Sequence, residues 1–559
     1  MRQPGLVAPS SSSNAVLALR AESAMKTGRV RVTAVGGSAS DAIEKPLTVH
    51  PDGERRVLAV NSVVETGQEV PVTVGANAIT GSIQGSVKID PSLLARILES
   101  IEVMLERPHG CGEQTISSTY PNLLLLKALN EAGLVDEPLN ARAKKNLLAG
   151  YQRLLRYQDS DGGFTYWGRG DTDVALTAYA LTFLDDAKAF IPVDEDRVSN
   201  AREWLAKQSA SETAANALRM RALAHAQKTD AADLDRQLGE MARKAAEFGD
   251  PYAMAAYALA ALEANKPELA GPIVEQLGGL AQDERGAAYW VLRANTPYHG
   301  WGRSGQVETT AMVVSAMAKW RKYGRGNEAL NALIDRGALF LLQNADAGGA
   351  WATSQATVAA LTALLDTWSH DDGAPAAQVE VRVNGVSGGK MLLPAGHTVR
   401  APLMLDISRL LRAGANEITL MGFGPRAQQV QVAAAWYETW GPKRRAKDLD
   451  MQVHYNVLTA AANDPVACDV VISRPSFRGY GMMIATVGLP PGAEVDRGVL
   501  ETLVSDGKNG VDSYEVGPDH VTFYVWPRAA DVKFRFVFRP RYALNARAAQ
   551  SVLYDYYNP

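Results

Sequence analysis

Cysteine is nearly absent. The 559 residues hold two, Cys111 and Cys468, in segments of quite different character, and their spacing implies no disulfide framework. No group of Cys and His has zinc-ligand spacing, so no metal is expected, and no cofactor. Long apolar runs are missing too: none approaches the roughly 20 residues that a membrane-spanning helix needs. Net charge is only −4, which gives no reason to expect nucleic acid or an anionic membrane as partner. The opening stretch MRQPGLVAPSSSSNAVLALRA carries one early Arg and no sustained apolar segment, and does not read as a signal peptide. The expectation is a cytoplasmic protein or the C-terminal piece of something longer.

What is there describes a folded, multidomain chain. Hydrophobic residues make up 47% and charged residues 21%, as in soluble globular proteins, and the length exceeds one ordinary core. Up to about residue 90 apolar and polar positions alternate, and RVRVTAVGG, RRVLAVNSVV and EVPVTV read as strands. Helical pattern begins after Asp90-Pro91, with Asp90 as expected N-cap and Pro91 at the first helical position. From there to about residue 370, Ala and Leu recur at three- and four-residue spacing in segments of helix length, suiting stacked α-hairpins. YQDSDGGFTYWGRGDTDVALTAYAL (157–181) resembles LQNADAGGAWATSQATVAALTALL (342–365), and WGRSGQVETTAMVVSAMAKW (301–320) is a weaker third copy. The helix count and the repeat predict an α/α toroid. Strand patterns return after Ala374-Pro375, and the last segment, from 448, reads as a compact β-sandwich.

One short stretch carries chemistry: PHGCGEQ, residues 108–114. Gly110 and Gly112 free the backbone beside Cys111 and remove side-chain bulk. Cys111 precedes helix-forming sequence, where backbone N–H groups and the helix dipole are expected to lower its pKa. Gln114 is on the same turn. Attack of the Cys111 sulfur on the Gln114 carboxamide would expel ammonia and leave an internal thioester, an acyl group ready for an outside nucleophile.

These residues resemble the thioester signature of the alpha-2-macroglobulin and complement thioester family. ERPHGCGEQ…YPNLLLLKALNEAG, GYQRLLRYQDSDGGFTYWG, VETTAMVVSAM, GGAWATSQATVAALTALL and the terminal VLYDYYNP resemble further family segments, from about residue 50 to the C-terminus. The resemblance implies an all-α toroidal thioester domain (91–372) inserted in an all-β CUB-type domain (51–90 and 373–442). A receptor-binding-type macroglobulin β-sandwich (443–559) follows, and residues 1–50 would be the tail of a preceding macroglobulin-like domain. It also implies a protease inhibitor rather than an enzyme, acting once by covalent capture. The partners would be a target protease or surface amines and hydroxyls, together with N-terminal macroglobulin domains and a bait region that have no counterpart in this sequence. The implied location is periplasmic or extracellular.

The site residues that follow are Cys111 and Gln114 as the thioester pair, Glu113 as a tuning group, and Pro108, Gly110 and Gly112 as the turn. Some family members pass the acyl group through a histidine about a hundred residues on. His225 is the candidate acceptor here, while His109 belongs to the turn. Tyr120, Tyr166, Trp167, Tyr554, Tyr556 and Tyr557 are candidates to shield the thioester. In animal relatives a lysine pair on the last helix binds a receptor, but VDRGVLETLVSD has no lysine, so that property is not carried over. Two other readings stay open: an α/α-toroid enzyme of the terpene cyclase or prenyltransferase type, and a non-covalent interaction module in which no thioester forms. Against the enzyme, Asp171-Thr172-Asp173-Val174 falls one acid short of the DxDD cluster, and Asp185-Asp186 lacks a third acid.

Overall fold

The computed structural model describes residues 7, 10–11, 22–37, 39–105, 110–225, 231–368, 376–393, 401–422, 428–441, 448–475, 481–526, 531–541 and 545–558. Pro108 and His109 lie outside the described residues. The chain opens with an antiparallel pair, β1 (Met25–Gly36) and β2 (Ala39–Val49), whose side chains are mostly exposed. Three strands follow: β3 (Glu54–Val64), β4 (Glu69–Val74) and β5 (Gln84–Asp90).

Twelve α-helices come next among the described residues. They are α1 (Leu93–Val103), α2 (Gly112–Glu131), α3 (Glu137–Leu154), α4 (Val174–Ala187), α5 (Glu195–Lys207) and α6 (Thr213–His225). Then come α7 (Ala231–Phe248), α8 (Pro251–Glu263), α9 (Pro267–Gly279), a small hairpin of β6 (Gln282–Glu284) and β7 (Ala287–Tyr289), α10 (Gly302–Trp320), α11 (Glu328–Gln343) and α12 (Ser354–Thr367). The even-numbered helices touch one another in the closed cycle α2–α4–α6–α8–α10–α12, and each odd-numbered helix packs outside its neighbours. This is an α/α toroid. The division follows from sequence: α8, AMAAYALAAL at its centre, is buried on all sides, as an inner helix must be, whereas outer α3 and α5 keep a polar face in water. Side chains of Asp136, Asp173, Asp194, Asp250, Asn327 and Thr353 cap helix N-termini.

The start of α1 differs from expectation. Its N-cap is Ser92, whose side chain accepts from Ala95 N, while Asp90 ends β5 and faces Lys88 and Arg96. A buried carboxylate beside two cations is better placed as a counter-charge than as a cap.

Beyond the toroid lie β8 (Ala377–Val383), β9 (Val386–Leu393), β10 (Leu403–Asp406), β11 (Gly414–Met421) and β12 (Gln428–Glu438). They join β3–β5 in two four-stranded sheets, β10-β5-β12-β3 and β4-β11-β8-β9, that close over Val72, Val87, Val381, Ile418 and Val432. Each sheet takes strands from both sides of the helical block. The last unit comprises β13 (Asp450–Tyr455), β14 (Val466–Ser473), β15 (Met483–Gly488), β16 (Ala493–Val495), α13 (Arg497–Asp506), β17 (Val511–Val516), β18 (His520–Val525), β19 (Val532–Pro540) and β20 (Val552–Asp555). Its sheets, β13-β14-β19-β16 and β17-β18-β15-β20, bury Phe523, Phe534, Phe536 and Cys468 between them. Cys468 is fully buried and its thiol is pushed up to about 12 by desolvation, as befits a packing residue.

Candidate functional site

Cys111 is the N-cap of α2, an inner helix, and Gln114 occupies the third helical position. The two form a capping box: the Gln114 backbone N–H points at the Cys111 side chain, and Gln114 Oε1 accepts from Cys111 N at 2.9 Å. The carboxamide is thereby folded back onto Cys111. Both glycines are demanded by this arrangement. Gly110 has φ +76°, and a Cβ there would lie 2.0 Å from Gln114 Oε1; a Cβ on Gly112 would lie 2.7 Å from the Thr165 carbonyl oxygen. Gly112 N donates to Tyr166 O at 2.7 Å. Arg153 Nη2 and Tyr157 Oη each donate to Gly110 O at 2.7 Å, and these two holders of the turn were not foreseen from sequence.

The expected thiolate is not what the structure holds. Cys111 is 1% exposed, and burial, reinforced by the Glu113 charge, pushes its thiol far above the ordinary value. Neighbouring backbone N–H groups oppose this and do not win. Desolvation of a fully buried sulfur outweighs the helix terminus. Glu113 is itself fully buried, with its carboxyl pushed up by burial. Its Oε1 accepts from Ser117 Oγ (2.5 Å) and Gln355 Nε2 (3.0 Å).

An aromatic layer covers the pair. Met482, Ile484, Tyr524 and Tyr557 of the last domain form a cluster with Trp167 and Trp301 of the toroid, and with Trp526, Tyr554 and Tyr556. Tyr556 Oη lies 2.9 Å from Ser354 Oγ at the start of α12, and Asn558 packs on Gly302 at the start of α10. Of the expected shielding residues, Tyr166, Trp167, Tyr554, Tyr556 and Tyr557 are thus at the lid. Tyr120 is not: its ring stacks on Tyr179 inside the toroid and its hydroxyl donates to Asp186.

His225 also has another place. Its Nε2 is 3.1 Å from Asp186 Oδ1 and its Nδ1 is 3.6 Å from Glu263 Oε2, and these two carboxylates raise its pKa to about 9. An imidazolium has no free lone pair with which to take an acyl group, and this half-buried ring is held as a cation between two carboxylates. Among the described residues a histidine that meets the lid is His299, in the loop before α10. Its ring packs against Tyr166, Trp526 and Tyr557, with centroids 5.2–6.2 Å apart, and burial lowers its pKa. The motif PYHGWG gave no sign of this, although a positive φ of 65° at a non-glycine residue marks the position as constrained.

Behind the site the toroid holds a half-open cavity of about 100 Å3, lined by Tyr179, Tyr252, Tyr298, Glu308, Gln355 and residues of the inner helices. Sites for drug-sized molecules usually occupy roughly 300–1,000 Å3, more than this space offers. Among the described residues no group of three or more His, Cys, Asp or Glu could hold a metal ion.

The A-macroglobulin TED domain profile matches residues 85–217 and 213–366, about half of the chain, and the A-macroglobulin receptor binding domain profile matches 479–559. The chain belongs to the A-macroglobulin family. Thioester-containing protein 1 of Anopheles gambiae is 30% identical in two alleles: S3 over 190 residues (33% of this chain, 14% of the relative) and R1 over 189 residues (32% and 14%). The matched stretch is thus a small part of those relatives' length. Among solved structures, native alpha-2-macroglobulin from Escherichia coli, spanning domain MG7 to the C-terminus, superposes with a TM-score of 0.67 at 14% identity. It covers 95% of this chain and 85% of that one. Salmonella alpha-2-macroglobulin reacted with methylamine gives 0.67 at 16% identity, over 95% and 35%. At these identities the likeness is one of fold. Among the described residues no helix of this family member is long and apolar enough to cross a membrane.

Proposed function

We propose that this chain is the thioester-bearing C-terminal part of an alpha-2-macroglobulin-type protease trap, with Cys111 and Gln114 as the reactive pair. The observation that carries the reading is the carboxamide of Gln114 folded onto a buried Cys111 by two glycines that admit no side chain. Closure joins Cys111 Sγ to Gln114 Cδ, breaks the Cδ–N bond, and sends the thiol proton out on ammonia. Glu113, buried next to the sulfur, tunes the site by passing that proton. In capture, an amine of the target attacks Cδ, the C–S bond breaks, and the sulfur leaves with the proton as a free thiol. The Cys111 N–H, already on Gln114 Oε1, holds the negative charge that develops there.

With His225 bound between Asp186 and Glu263, the proposed acceptors are amines reached directly, hence lysines of the captured protease. The two-sheet domain around the toroid corresponds to the CUB-type domain (51–90 and 373–442), and the last unit to the receptor-binding-type sandwich (443–559). Upstream macroglobulin domains with a bait region are proposed partners, and a compartment outside the cytoplasm is the proposed setting. Intact mass and thiol titration test the reading. The native chain is expected to weigh one ammonia less than its sequence, and methylamine should add to Gln114 and release one thiol. Cys111→Ala should abolish both changes. Full translated mass with Cys111 reactive at the outset would sink the thioester and favour an interaction module.

A further inference from the structure

The reaction proposed above leaves the toroid cavity without a role. Inner helices supply its walls: Tyr120, Tyr179, Arg221, Tyr252, Glu308 and Gln355 each come from a different one. Arg221 is paired with Glu263 at 3.1 Å. Glu308 has no such partner. It is 3% exposed, its Oε2 accepts from Thr296 Oγ1 at 2.7 Å, and its Oε1 has no hydrogen-bond partner among the described residues. Burial, helped by the Glu113 charge, raises its pKa to about 8, so near neutrality it keeps its proton.

A single hydrogen-bonded layer separates this space from the thioester pair. Gln355 Nε2 donates to Glu113 Oε1 and to Ser117 Oγ (3.2 Å), and Ser117 Oγ lies 3.3 Å from Tyr179 Oη. Gln355 and Tyr179 face the cavity, while Glu113 adjoins Cys111. The other side of the pair is shut by the aromatic lid. Thioester closure liberates one ammonia per chain at Gln114, a residue only 6% exposed, and that ammonia needs a way out. Ammonia is small and neutral enough to slip past a side-chain layer that stops a lysine. Once protonated it is a cation suited to tyrosine faces and a carboxylate.

We propose that the toroid cavity is the ammonia port of the thioester, a site for ammonium and the smallest primary ammonium ions, with Glu308 as its acid. Ammonia expelled from Gln114 crosses the Gln355–Ser117–Tyr179 layer and takes the Glu308 proton. The ammonium is then held by the Glu308 carboxylate against the tyrosine rings until it leaves and the carboxylate is reprotonated from water. By microscopic reversibility ammonia returns along the same path, and methylamine, of similar size, follows it, whereas bulky amines must wait for the lid. The inference rests on the thioester reading.

The test uses the full chain and separates the two. Intact mass first establishes whether wild type and variants carry the thioester. Thiol-release rate constants are then measured with methylamine and with benzylamine. Ala311→Leu, which fills the cavity, and Glu308→Gln should each slow methylamine by at least about ten-fold while leaving benzylamine unchanged. An unchanged ratio of the two rates overturns the port. If Ala311→Leu carries no thioester, Thr362→Leu, on the partly exposed lining, replaces it. Independently, crystals of Cys111→Ala soaked in thallium(I), an ammonium mimic, at alkaline pH should give anomalous density beside Glu308 Oε1. Its absence overturns the holding site even if wild type proves to carry no thioester.

Discussion

Gly110 does more at this site than a flexible turn residue would, because the volume that a Cβ would need is occupied by the Gln114 carboxamide itself. Gly110→Ala is therefore expected to fold yet show the full translated mass, since a methyl group there and the folded-back Gln114 exclude each other. Circular dichroism beside intact mass would check both halves. His225 gives a residue-scale pH signature. Its folded pKa is raised from 6.5 to about 9, so its contribution is complete below 6.5 and is lost as pH rises through 9. After allowance for its partial exposure this is on the order of 2 kcal/mol. Wild type should lose more melting temperature between pH 7 and 10 than His225→Asn does; parallel losses would refute the assignment. At this scale the pair proposed to react was legible in GCGEQ, and the structure brings its two side chains together. The ionisation of Cys111 and the place of His225 were not, because the first is set by burial within the fold and the second by carboxylates distant in sequence.

Among elements, the repeat seen in sequence has a mechanical basis. Phe164, Trp290 and Trp351 each sit in the loop before an inner helix and donate their backbone N–H to a threonine of that helix: Thr177, Thr310 and Thr357. Trp290 Nε1 and Trp351 Nε1 also cap carbonyls at the ends of α9 and α11. The sequence pattern located the first and last copies, but the aromatic equivalent of the middle copy is Trp290 rather than Trp301, displaced by an eleven-residue loop that hides the spacing. Thr310→Val and Thr357→Val would each orphan a buried N–H, at a cost of about 1–3 kcal/mol. Denaturant titration should register similar losses at both sites, and a neutral effect at either would remove the threonine from the motif.

For the molecule as a whole, the contact between toroid and last domain is aromatic but poorly satisfied. Tyr166 Oη, Trp167 Nε1, Trp301 Nε1 and Tyr557 Oη are all buried there without hydrogen-bond partners among the described residues. Such groups favour separation, since water would satisfy them. Tyr557→Phe, which keeps the shape and deletes an orphan hydroxyl, should tighten closure and lower hydrogen exchange at Tyr554–Tyr557; faster exchange would mean the hydroxyl is a needed contact. His299 adds an acid dependence. Its pKa is lowered in the closed contact, so the open state gains a proton that the closed one refuses as pH falls through the ordinary 6.5, and closure weakens there. Exchange at the same amides should rise below that pH, and less so in His299→Gln. That the lid would be aromatic was legible from the clustered tyrosines near the C-terminus. Which ring meets which was not, because those contacts join segments hundreds of residues apart.

The two sheets that borrow strands from both sides of the toroid carry one more consequence, for the order in which the chain is made. As synthesis proceeds, β3, β4 and β5 emerge well before their partners β8–β12, and must wait through the whole helical block with open edges. The helices can condense meanwhile and bring the first and last of the block, α1 and α12, into contact. That shortens the loop the sheets must close. The ring of helices is therefore a splint for a β-domain whose strands lie on both sides of it in sequence.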